Sequence, residues 1–247
     1  MKLLRLLTLV FSVLCLVPAA SAADGDPIST ETMIIDVPTA EVFDRYQASF
    51  LTRAYEHGSF MESIDFGVYP RINIGVSLAI DNWIGSSTSV KVLDPDFQAK
   101  WKIYDGNLYL PAIAIGYDGR RYGYGYDEET RQYVGHDSKH YLDNRKGGYL
   151  TMTREIFTPG LTLTAGSNFS DFDWDEFYMF TGLYYKILPQ INLLTEWDNI
   201  RNIRDSRLNM GVRFYLHPSL ALDASFRRIG RGDESERILQ LRYVTTF

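Results

Sequence analysis

The 247-residue sequence predicts an all-β protein, a single transmembrane, antiparallel up-and-down β-barrel of about twelve strands behind a cleaved signal peptide. Three observations predict it. The N-terminus reads as an export signal, segments of alternating hydrophobicity recur along the rest of the chain, and the connections between them alternate between short and long.

Lys2 and Arg5 supply a positive start, residues 6–17 form an apolar run, and Pro18 breaks it before the small-residue pattern Ala20-Ser21-Ala22. That run is shorter than the roughly 20 residues a spanning helix needs, so cleavage after Ala22 is expected. The chain divides into a signal peptide at 1–22, an N-terminal periplasmic or plug segment at 23–44 and a barrel at 45–247. The only cysteine, Cys15, falls in the signal, so no disulfide staples the fold. Loss of Lys2 and Arg5 moves the net charge from -6 to -8. That acidity, with no basic block, excludes nucleic acid as a partner. Mean hydropathy is slightly negative, so any membrane-facing surface must be written in alternation rather than in runs.

Alternation is clearest in Ile72-Asn73-Ile74-Gly75-Val76-Ser77-Leu78-Ala79-Ile80-Asp81, where even positions are β-branched or leucine and most odd ones polar or small. A period of two puts the two sets on opposite faces of a strand. The same reading gives strands at 45–55, 60–68, 72–81, 96–103, 108–117, 149–157, 161–167, 176–187, 191–198, 206–216, 219–227 and 235–247. Short connections hold Tyr69-Pro70-Arg71, Tyr104-Asp105-Gly106-Asn107, Thr158-Pro159-Gly160, Leu188-Pro189-Gln190 and His217-Pro218, and proline in most of them ends a ladder and presets a turn. Longer polar connections at 82–95, 118–148 and 168–175 fall on the other side. That segregation matches tight periplasmic turns and larger external loops.

The apolar sets Ile64/Phe66/Val68, Phe97/Ala99/Trp101/Ile103, Leu208/Met210/Val212/Phe214/Leu216 and Leu220/Leu222/Ala224/Phe226 are expected to face lipid. Asp65, Lys100, Lys102, Glu196, Arg207, Arg213, Asp223, Arg227 and Arg242 are then lumen-facing candidates. A charge at mid-membrane on the lipid side costs roughly 2–4 kcal/mol. Both signs are present, so a paired network filling a narrow lumen is favoured over an open channel. Aromatic residues near strand ends, among them Tyr46, Tyr55, Phe60, Trp83, Tyr149, Tyr185, Trp197 and Tyr215, are expected as interfacial girdles. The last strand presents Leu239, Leu241, Tyr243, Thr245 and Phe247 on one face, which resembles the insertion signal of outer-membrane barrels.

Met33-Ile34-Ile35-Asp36-Val37-Pro38-Thr39-Ala40 is similar to the apolar-Pro-Thr-Ala element that opens YjbH-like barrels, with Pro38, Thr39 and Ala40 as its core. Leu108-Tyr109-Leu110-Pro111-Ala112-Ile113-Ala114-Ile115-Gly116 resembles that family's Leu-Pro-Ala strand. The resemblance covers 33–116 and implies an outer-membrane barrel tied to exopolysaccharide production and export. This chain is shorter than the larger members and departs from them in its tyrosine-rich 118–148 loop.

In that loop Arg120, Arg121, Tyr122, Tyr124 and Tyr126 are a candidate glycan-contact surface, the alternative being a β-rich external loop. His136 and His140, with Asp137, lack a third ligand at metal spacing, and Asp171, Asp173 and Asp175 lack the glycine and terminal glutamate of a calcium loop, so no metal site is predicted. His57 with Ser59, and His217, find no orienting carboxylate, so no catalytic residues and no cofactor are predicted. The expectation is a non-enzymatic barrel of the bacterial outer membrane that supports exopolysaccharide secretion. A passive small-solute pore and a lumen-filled structural or adhesive barrel are the alternatives. The expected partners are outer-membrane lipids with lipopolysaccharide, the barrel-insertion machinery, and polysaccharide or secretion proteins.

Overall fold

The computed structural model describes residues 30–55, 58–84, 90–122, 125–127, 132–135, 146–169, 177–201, 206–230 and 235–247. The signal peptide, His57, Tyr124, His136, Asp137, His140, Asp171, Asp173 and Asp175 lie outside the described residues.

The strands in chain order are β1(Gln47–Ala54), β2(Phe60–Tyr69), β3(Ile72–Asp81), β4(Lys91–Val92), β5(Asp96–Tyr104), β6(Ala112–Asp118), β7(Gly125–Asp127), β8(Gln132–Gly135), β9(Gly147–Glu155), β10(Leu161–Phe169), β11(Phe177–Leu188), β12(Ile191–Ile200), β13(Arg207–His217), β14(Leu220–Arg227) and β15(Glu236–Thr246). Twelve of them pair antiparallel with their neighbours and close into one barrel. The two-residue β4 only extends β3 at its outer end, and β7–β8 form a separate small hairpin. The seam joins the first strand to the last, from Gln47 opposite Thr246 to Ala54 opposite Leu239. Closure removes the unpaired edges that would otherwise strand backbone groups in lipid.

The predicted strand spans match within a few residues except at one start. The Leu108-Tyr109-Leu110 run does not enter the ladder, and β6 begins at Ala112. Asn107 Oδ1 accepts the Tyr109 and Leu110 amides at 2.8 and 2.7 Å, Pro111 has no amide to offer, and Arg154 donates to the Tyr109 carbonyl at 2.8 Å. Gly106 and Gly160 stand at φ 82 and 84 in two short turns, a conformation that side chains with Cβ resist.

Burial alternates along each barrel strand. The predicted lipid-facing residues point outward, as with Trp101 at 51% and Phe226 at 55% exposed in the isolated chain, and Val76 of the alternating β3 joins them at 51%. Phe60 meets Trp83 edge-on at 5.2 Å at the outer rim, and Phe66 meets Phe247 at 6.3 Å at the opposite one. The girdle expectation needs correction at Tyr55, Tyr149 and Tyr215. These three are 6%, 7% and 9% exposed and pack inside the barrel, because strand parity puts Tyr149 and Tyr215 on the inner face.

Replacing Val76 by arginine, at mid-strand on the outer face, is expected to cost about 2–4 kcal/mol. Reversible denaturant unfolding in lipid vesicles measures it, and Val76→Leu serves as the neutral control. A cost below 1 kcal/mol would contradict the assigned face.

Candidate functional site in the lumen

The barrel interior is occupied by a segment of the chain that precedes β1, residues 31–40. Residues 33–38 form a tight loop closed by a bridge between Met33 and Pro38, and Ile34, Ile35, Val37, Thr39 and Ala40 are all at most 2% exposed. Ile34, Ile35 and Val37 cluster with Tyr149, Phe180 and Leu194 of the wall. The wall is shaped to admit them: a Cβ on Gly182 would come within 2.5 Å of Ile34 Cδ1. Ala40 packs on Ala112 and Ala114, the small-residue start of β6.

Polar groups fix the segment's position. Asp36 is clamped between two fully buried arginines, Arg53 Nη1 of β1 at 2.7 Å and Arg227 Nε of β14 at 2.6 Å. Arg53 also donates to the Ile35 carbonyl at 2.5 Å. In return, the backbone amides of Ile35, Asp36 and Val37 all donate to the Glu196 carboxylate of β12 at 3.0 Å. Successive amides curled around one carboxylate form an anion-binding nest, here built by the segment around a wall residue. The Asn209 amide donates to the same carboxylate at 2.7 Å.

The flanks are tied as well. Thr151 donates to the Pro38 carbonyl at 2.8 Å, and the Ala40 amide donates to Thr153 Oγ1 at 2.8 Å. Lys100 donates to the Thr32 and Glu41 carbonyls at 2.7 and 3.0 Å, and Lys102 pairs with Glu41 at 2.7 Å. Glu31 pairs with Arg213, accepts from Tyr215, and lies 3.9 Å from Arg242. Arg213 is also held by Asp223 through two bonds of 2.7 Å.

Asp65, Lys100, Lys102, Glu196, Arg207, Arg213, Asp223, Arg227 and Arg242 therefore all sit on the inner face, and six of them hydrogen-bond or pair with the segment. Pro38, Thr39 and Ala40 lie inside the barrel. Arg120, Arg121 and Tyr122 do not form an external surface, since they are 9%, 8% and 3% exposed. Arg120 folds onto Asp118, Arg121 onto Asp96, and Tyr122 onto Asp118, so their charge and hydrogen bonds are spent inward. The Tyr126 backbone belongs to the β7–β8 hairpin. Arg53, Glu31 and Asp36 were not singled out in the sequence. For Arg53 a signal existed, because alternation in Leu51-Thr52-Arg53-Ala54 puts residue 53 on the inner face.

The interior is strongly cationic without the segment. Among the described residues, ten arginines and lysines are buried against six buried carboxylates outside residues 30–44, and Glu31 and Asp36 bring two more. A cavity of about 20 Å³ beside Asp65, Asn73, Gln98, Lys100 and Arg120 has room for a water molecule and not for a solute.

No protein-family model matches the chain, and no curated protein matches it in sequence. Among solved structures it is similar to the KdgM porin, at TM-score 0.50 and 10% identity, over 80% of this chain and 98% of that one. The KdgM porin in complex with disordered oligogalacturonate aligns with TM-score 0.50 and 9% identity over 81% and 99%. A porin of Rh. blastica aligns at TM-score 0.37 and 12% identity over 76% of this chain and 55% of that one, too distant to carry an argument. The likeness establishes a closed porin-type barrel as the fold.

Burial by itself would raise the Asp36 carboxyl, but Arg227, then Arg53 and Lys146, outweigh it and hold the group below its ordinary value. A carboxyl whose folded pKa is depressed stabilises the seated segment above its unfolded pKa and loses that contribution as pH falls through the depressed value. The Asp36 carboxylate is thus expected to stay ionised between Arg53 and Arg227 from pH 7 to about pH 4 and to take up a proton only below it. The carboxyl-carbon chemical shift of labelled Asp36, followed by NMR across that range, checks this, and protonation already near roughly pH 6 would refute it.

Proposed function

We propose that the chain is a non-enzymatic channel of the bacterial outer membrane, held closed by its own N-terminal segment and selective for anionic solutes once that segment leaves. The carrying observation is the double clamp of Arg53 and Arg227 on Asp36 inside the barrel. Location in the outer membrane is supported by the apolar outer face, the closed porin-type fold and the export-like N-terminus; among the described residues no helix is long and apolar enough to cross a membrane.

Selectivity follows from the charge balance. Withdrawing residues 30–44 takes two buried carboxylates from a lumen in which buried cations already exceed carboxylates. A path lined in this way concentrates anions and repels cations. An acidic sugar chain is one solute of this class. The KdgM porin was captured with an oligogalacturonate, and the YjbH-like elements at 33–40 and 108–116 imply a link to exopolysaccharide. Both support a saccharide cargo for this chain.

A lumen-filled structural barrel is the second reading, favoured by the completeness of the packing around Ile34, Ile35 and Val37. Conductance separates the two. Asp36→Asn leaves two buried arginines without their shared carboxylate, a loss of roughly 3–5 kcal/mol for a broken buried pair. That corresponds to a shift of about two to four decades in the open-to-closed ratio. In planar bilayers the parent is expected to sit at its closed level. Asp36→Asn is expected to flicker open, and deletion of 30–40 to give a steady current carried by anions. Silence in both variants, with a heat-modifiable gel shift showing an intact barrel, would establish the structural reading instead.

A further inference from the structure

The short strap that follows β6, residues 119–122, enters the barrel from the end opposite the five short turns. The N-terminal segment enters from the other end, and the two meet inside the barrel beside Arg53 and Arg227, at the ends of β1 and β14. Arg53 pairs with Asp36 of the segment and lies 5.1 Å from the ring centroid of Tyr122 in the strap. Arg227 pairs with the other Asp36 oxygen and donates to the Tyr122 carbonyl. Each arginine thus holds both elements at once.

Other contacts tighten the junction. Met33 and Tyr122 share one buried cluster with Leu51, Tyr55, Met61 and Ile238, and Arg120 Nη1 lies 3.7 Å from Met33 Sδ. Tyr55 of the wall donates to the Arg121 carbonyl at 2.9 Å, so the strap is also anchored independently of the segment. Asp36 cannot leave without taking away the carboxylate that both guanidinium groups share, which leaves Arg53 to Gln240 and Arg227 to Glu236.

We infer that the strap and the N-terminal segment form one gate, interlocked through Arg53 and Arg227, so that loosening either element from its own side of the membrane loosens the other. This rests on the closed-channel reading for its consequence, which is that contact with the strap from outside would help release a segment seated from inside. The physical basis is reciprocity: if the strap stabilises the segment through shared partners, the segment must stabilise the strap by the same factor. The shared elements are two fully buried side chains that have lost their alternative partner, water.

Hydrogen exchange read by mass spectrometry on the full chain in lipid nanodiscs tests the interlock in both directions. Asp36→Asn is expected to speed exchange across 119–122 by about fivefold or more, and Tyr122→Ala to speed exchange across 33–39 by a similar factor. Peptides from β10, which has no residue in the Tyr122 cluster or the Ile34 cluster, are expected to stay unchanged. If either variant accelerates only its own element, or if the barrel strands accelerate equally, the interlock is wrong. Should Tyr122→Ala not yield the heat-modifiable form, Tyr122→Leu keeps apolar bulk while removing the ring face presented to Arg53. Conductance distinguishes the layers. A silent Asp36→Asn with reciprocal exchange effects would overturn the channel and keep the interlock, and an open channel without them would do the reverse.

Discussion

Everything inside this barrel depends on one constraint: a charge taken out of water must find an opposite charge or a set of dipoles. Arg53, Arg213, Arg227 and Arg242 are each at most 2% exposed, and they lie on β1, β13, β14 and β15, which adjoin one another in the sheet. Four buried guanidinium groups on neighbouring strands would be untenable alone. Asp223 and Glu236 on the same wall partner two of them. Asp36 and Glu31 come from a loop that is not part of the wall at all. The position of residues 30–44 is therefore an electrostatic requirement of the wall as much as a property of the segment.

The segment answers with both of its polarities. Its carboxylates face the arginines of β1, β13 and β14, while three of its amides face the carboxylate of Glu196 on β12. A single loop thereby satisfies wall groups of opposite sign a few ångströms apart. Its aliphatic residues fill the space between, where Gly182 gives way. The loss of any one member of such a buried charge network is costly to the rest.

Strand parity carried most of what could be read in advance. The outward sets around Val76, Trp101 and Phe226 and the inner charges from Asp65 to Arg242 follow from a period of two, because lipid admits no compromise about which face is apolar. Proline and glycine turns set the connections. The misplaced start of β6 came from Leu108-Tyr109-Leu110, whose composition suits a strand but whose amides are claimed by Asn107. Tyr55, Tyr149 and Tyr215 were assigned by nearness to strand ends, which ignores the face they occupy. The pairing of Asp36 with Arg53 and Arg227 was not legible. Its partners lie 17 and 191 residues away, and no local pattern reports a contact formed across a closed lumen.

The seam between β1 and β15 joins residues nearly the whole chain apart, with Gln47 opposite Thr246. Contacts of such sequence separation form late, since the loop entropy of the intervening chain must be met first. Gln240 of β15 accepts from Arg53 at 2.9 Å, and the same Arg53 holds Asp36. The interior thus acquires its final cation geometry only when the cylinder zips shut. The loop at residues 33–38, though earlier in the chain than every strand, is in this sense the last piece to find its place.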